Sequence, residues 1–147
     1  MAPFLGQAGV LVMDSHTYEW LLRQEDVLHS AELWQAWFGT RPVFVFTSRQ
    51  LPAPHGADVR FCNGSVADHL SALEQAAGEK TIWVQGGGDL AGQLLDAGRL
   101  DRITLTPAPA FLAAGKPLLP RIIEAAHLRL VGSRQVGQFV GVTYQVC

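Results

Sequence analysis

Short apolar segments with strand character alternate with helix-like segments along most of this chain. The strand-like segments are rich in β-branched and aromatic side chains and comprise residues 9–13, 42–47, 59–62, 81–85 and 102–106. The helical patterns cover residues 17–23, 30–38, 65–77 and 89–97. Alternation of this kind is typical of βαβ units, so it predicts a parallel sheet with helices on both faces.

The C-terminal part of the chain breaks this alternation. Residues 128–133 and 138–146 are strand-like and are joined by a short turn at Gly137, with no helix between them. We therefore predict an α/β domain with a mixed, mostly parallel sheet and an antiparallel C-terminal edge. No repeat or linker divides the chain, so a single domain spanning residues 1–147 is expected, with residues 51–58 as an internal loop.

Composition narrows the classes of function. Apolar residues make up 48% of the chain and charged residues 16%, with a net charge of −2, so no nucleic-acid surface is expected. No apolar run reaches the roughly 18 residues that span a membrane, and the N-terminus lacks the basic start of a secretion signal. Cys62 and Cys147 are expected to be reduced thiols of a cytoplasmic protein. The histidines lack metal-ligand spacing, so no metal site is expected.

Three consecutive glycines, Gly86, Gly87 and Gly88, lie between residues 81–85, expected to be a buried strand, and a helix. Glycine lets the backbone approach a diphosphate closely and tolerates the positive φ that we expect at Gly87, and a helix N-terminus presents unpaired N–H groups. The spacing is not that of the G-x-G-x-x-G motif, and a tight turn without a ligand is the alternative interpretation. Asp89, directly after the glycines, would repel a phosphate.

A second polar corner, Thr47, Ser48 and Arg49, follows the strand-like residues 42–47. Two hydroxyls and a guanidinium at the carboxyl end of a strand suit a 2′-phosphate, because ligands of open α/β sheets bind beyond those ends. An ordinary polar loop is the alternative interpretation of these residues.

A third corner, Ser15, His16 and Thr17, follows the first strand-like segment and begins a helix. Ser15 or Thr17 is expected to cap this helix, with or without a ligand. All three corners lie at strand ends, where one ligand crossing the sheet edge would touch each of them. Together they favour a nucleotide cofactor.

Five segments, in collinear order, resemble motifs of the dihydrofolate-reductase-like superfamily. They are VMDSHTYE from Val12, FTSRQLP from Phe46, VQGGGDLAGQLL from Val84, GRLDRI from Gly98 and PAFLAAGKPL from Pro109. The pattern is most similar to the C-terminal reductase domain of the bacterial riboflavin-synthesis deaminase-reductase and its stand-alone relatives. The resemblance runs from about Gly9 to Val146.

The resemblance implies NADPH as cofactor and hydride transfer to a C=N or C=O bond of a pyrimidine- or pteridine-like substrate. By position, Ser15, His16 and Thr17 would lie along the phosphates, and Thr47, Ser48 and Arg49 would meet the 2′-phosphate. The cofactor site would be completed on the diphosphate and nicotinamide side by Gly86, Gly87, Gly88, Asp89 and Leu90. No catalytic acid is identified.

The sequence departs from the family pattern at several positions. Asp14 stands where the family usually has glycine, Ser15 where it often has arginine, and Ala113 where a glycine is usual. Family members also begin with a strand and loop that precede anything matched here. In the family fold that strand lies inside the sheet beside residues 81–85, so its absence is expected to leave a gap. Three outcomes are open: the sheet closes up with its remaining strands, a partner chain covers the gap, or the chain is an incomplete version of a longer protein. Of these we expect a homodimer, together with weak or absent catalysis.

Two other functions remain open at this point. One is a non-catalytic or truncated nucleotide-binding member of the same fold, which Asp14 and the unmatched front segment favour. The other is a flavin-binding domain, which Arg49 and its hydroxyl neighbours disfavour because they suit a 2′-phosphate.

Overall fold

The computed structural model describes residues 7–24 and 26–147. The strands are β1 (Ala8–Asp14), β2 (Val43–Phe46), β3 (Val59–Cys62), β4 (Thr81–Gly86), β5 (Arg102–Leu105), β6 (Leu128–Val136) and β7 (Phe139–Val146). The α-helices are α1 (Ser15–Arg23), α2 (Ala31–Phe38), α3 (Leu70–Ala77) and α4 (Gly88–Asp96), with short 3₁₀ helices at Val27–His29, Ala67–His69 and Ala125–His127. The N-terminal residues 1–6, interpreted above as lacking a secretion signal, lie outside the described residues.

The first four strands form a parallel sheet in the order β3-β2-β1-β4. β1 pairs with β2 from Leu11 opposite Val43 and with β4 up to Met13 opposite Gly86. The predicted α/β class is confirmed, and the C-terminal strands are antiparallel as predicted. The antiparallel strands, however, form a separate three-stranded sheet in the order β5-β7-β6 rather than the edge of one continuous sheet.

The core of the parallel sheet has two sides because successive side chains of a strand point to opposite faces. Val10 and Val12 of β1 face α3 and α4, whereas Leu11 and Met13 face α1 and α2. All of β1 from Val10 to Met13 is buried. Helices therefore cover both faces of this sheet, as the alternating sequence pattern predicts.

The strand before the glycines is less buried than expected. In β4, Thr81 is exposed and the following residues are only partly buried, so the prediction of a buried strand is wrong for residues 81–85. The reason is its place at the edge of the parallel sheet, where β1 is its strand partner. β5 is likewise an outer strand of the other sheet, and β4 and β5 are not paired with each other.

The antiparallel sheet is amphipathic. Cross-strand partners share a face, and the register puts eight apolar side chains on one face: Ile103, Leu105, Leu128, Leu130, Val140, Val142, Tyr144 and Val146. The arginines of these strands, Arg102, Arg129 and Arg134, lie on the opposite face. Leu130 and Val140 are exposed and the other six are only partly buried, so the chain as described does not fully cover this apolar face.

One predicted helix is divided in the structure. Residues 65–77 form the 3₁₀ helix Ala67–His69 followed by α3, not one α-helix from Ser65. The Asp68 carboxylate accepts a hydrogen bond from the Ser65 N–H at 3.4 Å, which ties down the turn before α3. Among the described residues, no helix is long and apolar enough to cross a membrane.

Candidate functional site

The parallel sheet brings the three predicted corners to one edge. Because all four strands run in the same direction, Asp14, Thr47 and Gly87 follow strand ends that lie side by side. The strand order reverses at β1, since β2 lies on one side of it and β4 on the other. Open α/β sheets bind ligands in the crevice at such a reversal. We call this place the β1–β4 crevice and define it by Asp14, Thr17, Gly86 and Gly87.

The start of α1 forms one wall of the crevice. The Oδ1 atom of Asp14 accepts a hydrogen bond from the Thr17 N–H at 2.8 Å and caps the helix. The prediction that Ser15 or Thr17 caps α1 is therefore wrong, and the helix begins two residues earlier than predicted. A carboxylate at the residue before the helix reaches the N–H three positions on, and it also compensates the positive end of the helix dipole.

The glycine turn forms the other wall. A Cβ atom built on Gly86 would lie 2.8 Å from Thr17 Oγ1, and one on Gly87 would lie 2.6 Å from Asp14 Oδ2. The backbone therefore packs against the start of α1 at a distance that only glycine allows. Gly87 has φ −89°, so the expected positive φ at this residue is wrong, and close packing is the reason for glycine there. The Gly86–Gly87 peptide bond is cis.

A segment from beyond β5 packs on the far side of the turn. A Cβ atom on Gly88 would collide with the backbone oxygen of Leu118. The Arg121 guanidinium lies over α4, 2.9 Å from Asp96 and 3.5 Å from Asp89. Asp89, which by itself would repel a phosphate, is thus paired with a cation.

The corner after β2 keeps its backbone close to the sheet. Thr47 N–H donates to the Cys62 carbonyl at 2.8 Å, and Thr47 Oγ1 accepts from the Arg49 N–H at 3.0 Å. The Arg49 guanidinium is in an ion pair with Glu19 of α1, which joins this corner to the first. The Arg49 side chain remains 58% exposed, so an incoming phosphate could compete with Glu19.

The remaining candidate residues differ in how exposed their side chains are. His16 and Ser48 are exposed and Ser15 is partly buried, all at the same edge. The Leu90 side chain is buried in the core, and its N–H donates to the Gly87 carbonyl at 3.2 Å. Leu90 therefore supports the turn from beneath.

Sequence reasoning missed two contributors to the site. Glu19 faces Arg49 across 30 positions, and Arg121 faces Asp89 across 32 positions. No local pattern marks either pair, because both depend on how the elements pack. The Asp14 cap, in contrast, had a local signal, since aspartate is a preferred residue directly before a helix.

A model of the RibD C-terminal domain matches residues 20–142. The chain belongs to this family. Two proteins of Bacillus subtilis strain 168 are similar to this RibD C-terminal domain. The uncharacterised protein YwjB is 31% identical over 86 residues, which are 58% of this chain and 49% of YwjB. The uncharacterised protein YyaP is 25% identical over 135 residues, which are 89% of this chain and 70% of YyaP.

Solved structures share the fold. A protein of Shewanella sp. PV-4 assigned to riboflavin biosynthesis matches with a TM-score of 0.74 and 20% identity, over 98% of this chain and 77% of that one. A deaminase/5-amino-6-(5-phosphoribosylamino)uracil reductase of Thermotoga maritima matches with a TM-score of 0.61 and 14% identity, over 95% of this chain and 46% of that one. The chain thus spans about half the length of YwjB and of the Thermotoga protein.

The groups at this edge differ in charge. The corner after β2 offers the Arg49 guanidinium and two hydroxyls, and no side chain caps the N-terminus of α4. Asp14 contributes a negative charge. Its carboxylate lies in the crevice itself, next to the glycine turn, and has no cationic partner in the part of the chain that the structure describes.

Proposed function

We propose that this RibD C-terminal domain is an NADPH-dependent reductase acting on a pyrimidine- or pteridine-like substrate. The observation that carries the proposal is the convergence of the three corners on the strand-order reversal, in a chain of this family. When bound, NADPH would supply the hydride to a C=N or C=O carbon of the substrate, and a solvent proton would complete the reduction. The residues of the chain would hold the cofactor and orient it towards the substrate.

The recognition of the 2′-phosphate is assigned to Arg49. A guanidinium bonded to a phosphate forms a charge-assisted hydrogen bond, which is about twice as strong as a neutral one. Such a contact contributes on the order of 1.5–3 kcal/mol, or roughly a ten- to hundred-fold difference in affinity. NADPH should therefore bind more tightly than NADH.

Calorimetric titration of NADPH and NADH tests this assignment. Arg49→Ala should weaken NADPH binding by about ten-fold or more and leave NADH binding unchanged. Arg23→Ala removes the same charge at the other end of α1 and serves as the matched control. Equal affinities for both cofactors in the unmodified chain would contradict the assignment. NADPH oxidation with pyrimidine and pteridine substrates then tests the reductase activity itself.

A non-catalytic nucleotide-binding member of the family is the second candidate. Asp14 in the crevice favours it, since a carboxylate there opposes a polyanionic cofactor. NADPH binding without oxidation by any substrate would support this second function over the first.

For either function we propose a cytoplasmic location, because both cysteines are free thiols, which a reducing compartment maintains.

We also propose that the chain forms a homodimer through the apolar face of the antiparallel sheet. A face that is apolar and free of charge complements a second copy of itself in a two-fold arrangement. Leu130→Lys should convert the dimer to a monomer in light scattering. Val136→Lys is the control, because Val136 is equally exposed, at 56% against 57% for Leu130, and lies on the opposite face. A compact monomer of the unmodified chain would contradict the proposal.

A further inference from the structure

Asp14 is held in one orientation by the start of α1. Its Oδ1 atom accepts the Thr17 N–H at 2.8 Å, and Oδ2 lies on the side of Gly87, 2.6 Å from the position of a Cβ on that glycine. Among the residues that the structure describes, the Thr17 N–H to Oδ1 is the hydrogen bond that the Asp14 carboxylate accepts, and Oδ2 accepts none. One carboxylate oxygen is therefore satisfied by the helix, and the other is presented to the β1–β4 crevice.

The charges around the crevice do not compensate Asp14. Arg49 is paired with Glu19, and Arg121 is paired with Asp89 and Asp96. At this edge the carboxylates of Asp14, Glu19 and Asp89 therefore outnumber the two guanidiniums. A diphosphate that entered the crevice would meet the negative charge of Asp14. That carboxylate already lies at the N-terminus of α1, which is the position that an anion prefers.

We propose that Asp14 determines the ligand selectivity of the crevice by acting as a built-in anion. Its carboxylate occupies the place of a ligand phosphate at the start of α1, and its free oxygen accepts hydrogen bonds from neutral donors. The crevice therefore favours hydroxyl or carboxamide groups of a nucleotide and disfavours the diphosphate. This inference rests on the proposed cofactor function, and it predicts that the edge accepts a 2′-phosphate more readily than the diphosphate of NADPH.

Asp14→Asn provides the test. Asparagine also caps helices, so the variant keeps the hydrogen bond to Thr17 and removes only the charge. NADPH binding should tighten by about ten-fold or more at low ionic strength, and the gain should shrink at about 1 M salt, where the screening length is about 3 Å. Binding of adenosine 2′-monophosphate, which has no diphosphate, should not change.

Glu79→Gln is the matched control. It removes one negative charge near Ala8 and Pro42, at the amino-terminal edge of the sheet, and should leave NADPH binding unchanged. Circular dichroism and thermal unfolding verify that each variant is folded. Asp14→Ser, which also retains a capping side chain, replaces Asp14→Asn if the latter does not fold.

The outcomes separate this inference from the proposed function. If the unmodified chain and Asp14→Asn bind NADPH equally well, the selectivity role of Asp14 is wrong and the cofactor assignment stands. If the Glu79→Gln control tightens binding as much as Asp14→Asn, the effect is one of overall charge and the inference is also overturned. If neither the unmodified chain nor any Asp14 variant binds NADPH, the cofactor assignment fails, and the inference fails with it.

Discussion

The phenol of Tyr18 donates a hydrogen bond to the backbone oxygen of Pro52 at 2.5 Å. Tyr18 is fully buried in α1, and its ring packs edge-on against Trp34 and Phe61. Pro52 belongs to the loop between β2 and β3. One hydrogen bond thus fixes that loop to the helix that begins at the candidate site.

We expect Tyr18→Phe to lower the free energy of unfolding by about 1 kcal/mol. The ring and its packing are retained, but the Pro52 carbonyl loses its partner. Urea unfolding of the variant measures the change. Tyr144→Phe, on the partly exposed strand β7, is the control and should change stability by less than about 0.5 kcal/mol. Equal stability of Tyr18→Phe and the unmodified chain would show that the bond contributes nothing.

Burial raises the pKa of Tyr18 to about 12, compared with about 10 in an unfolded chain. In this range the unfolded state loses the phenol proton first, so it is favoured as the pH rises. The contribution of Tyr18 to stability is complete below pH 10 and declines between pH 10 and 12. Unfolding curves from pH 9 to 11 should show this decline in the unmodified chain and in Tyr144→Phe, and a smaller decline in Tyr18→Phe.

Arg121→Gln should loosen the segment between β5 and β6. The Arg121 side chain is only 26% exposed, and its guanidinium anchors this segment to Asp89 and Asp96 of α4. Limited proteolysis should cut the variant faster within residues 106–124, and NADPH binding should weaken because Asp89 is left without its cation. Arg99→Gln breaks the surface ion pair with Glu74 and should change neither the rate of proteolysis nor NADPH binding. Unaltered proteolysis of Arg121→Gln would contradict the anchoring role.

Gly87→Val should abolish NADPH binding. The valine Cβ would displace the Asp14 carboxylate from its cap, at a cost of about 1 kcal/mol, and its methyl groups would fill the crevice. Calorimetry measures the binding, and circular dichroism verifies that the fold persists. Gly115→Val is the control, since nothing lies within 4 Å of that position. Unchanged NADPH affinity in Gly87→Val would mean that the three glycines form only a turn.

The elements and their order could be predicted because the information is local. The continuous apolar run Val10, Leu11, Val12 and Met13 predicts a strand without any knowledge of which strands pair with it. The parallel class then follows from the helices between the strands. The meeting of the three corners at one edge followed from that class alone. The structure brings the three corners together as the sequence predicts, and their role in binding a cofactor stays a prediction.

The rest depended on pairing and packing between distant parts of the chain. Neither segment by itself shows whether β4 pairs with β5. In the structure they do not pair, and each is an outer strand of its own sheet. The partners of Arg49 and Asp89 are 30 and 32 positions away, so their charges could not be balanced from the sequence. The capping prediction failed for a different reason, namely that three of four consecutive residues, Asp14, Ser15 and Thr17, have side chains able to cap.

The β1–β4 crevice also has a consequence for the order of folding. Its two walls are about 70 positions apart in the chain, and they meet only when β1 and β4 pair, with Met13 opposite Gly86. Contacts of such long range are slow to form, because closing a long loop between the partners costs chain entropy. A ligand in the crevice would bind only chains whose parallel sheet is complete and would stabilise them by mass action. Raising the ligand concentration would then increase the free energy of unfolding of the domain.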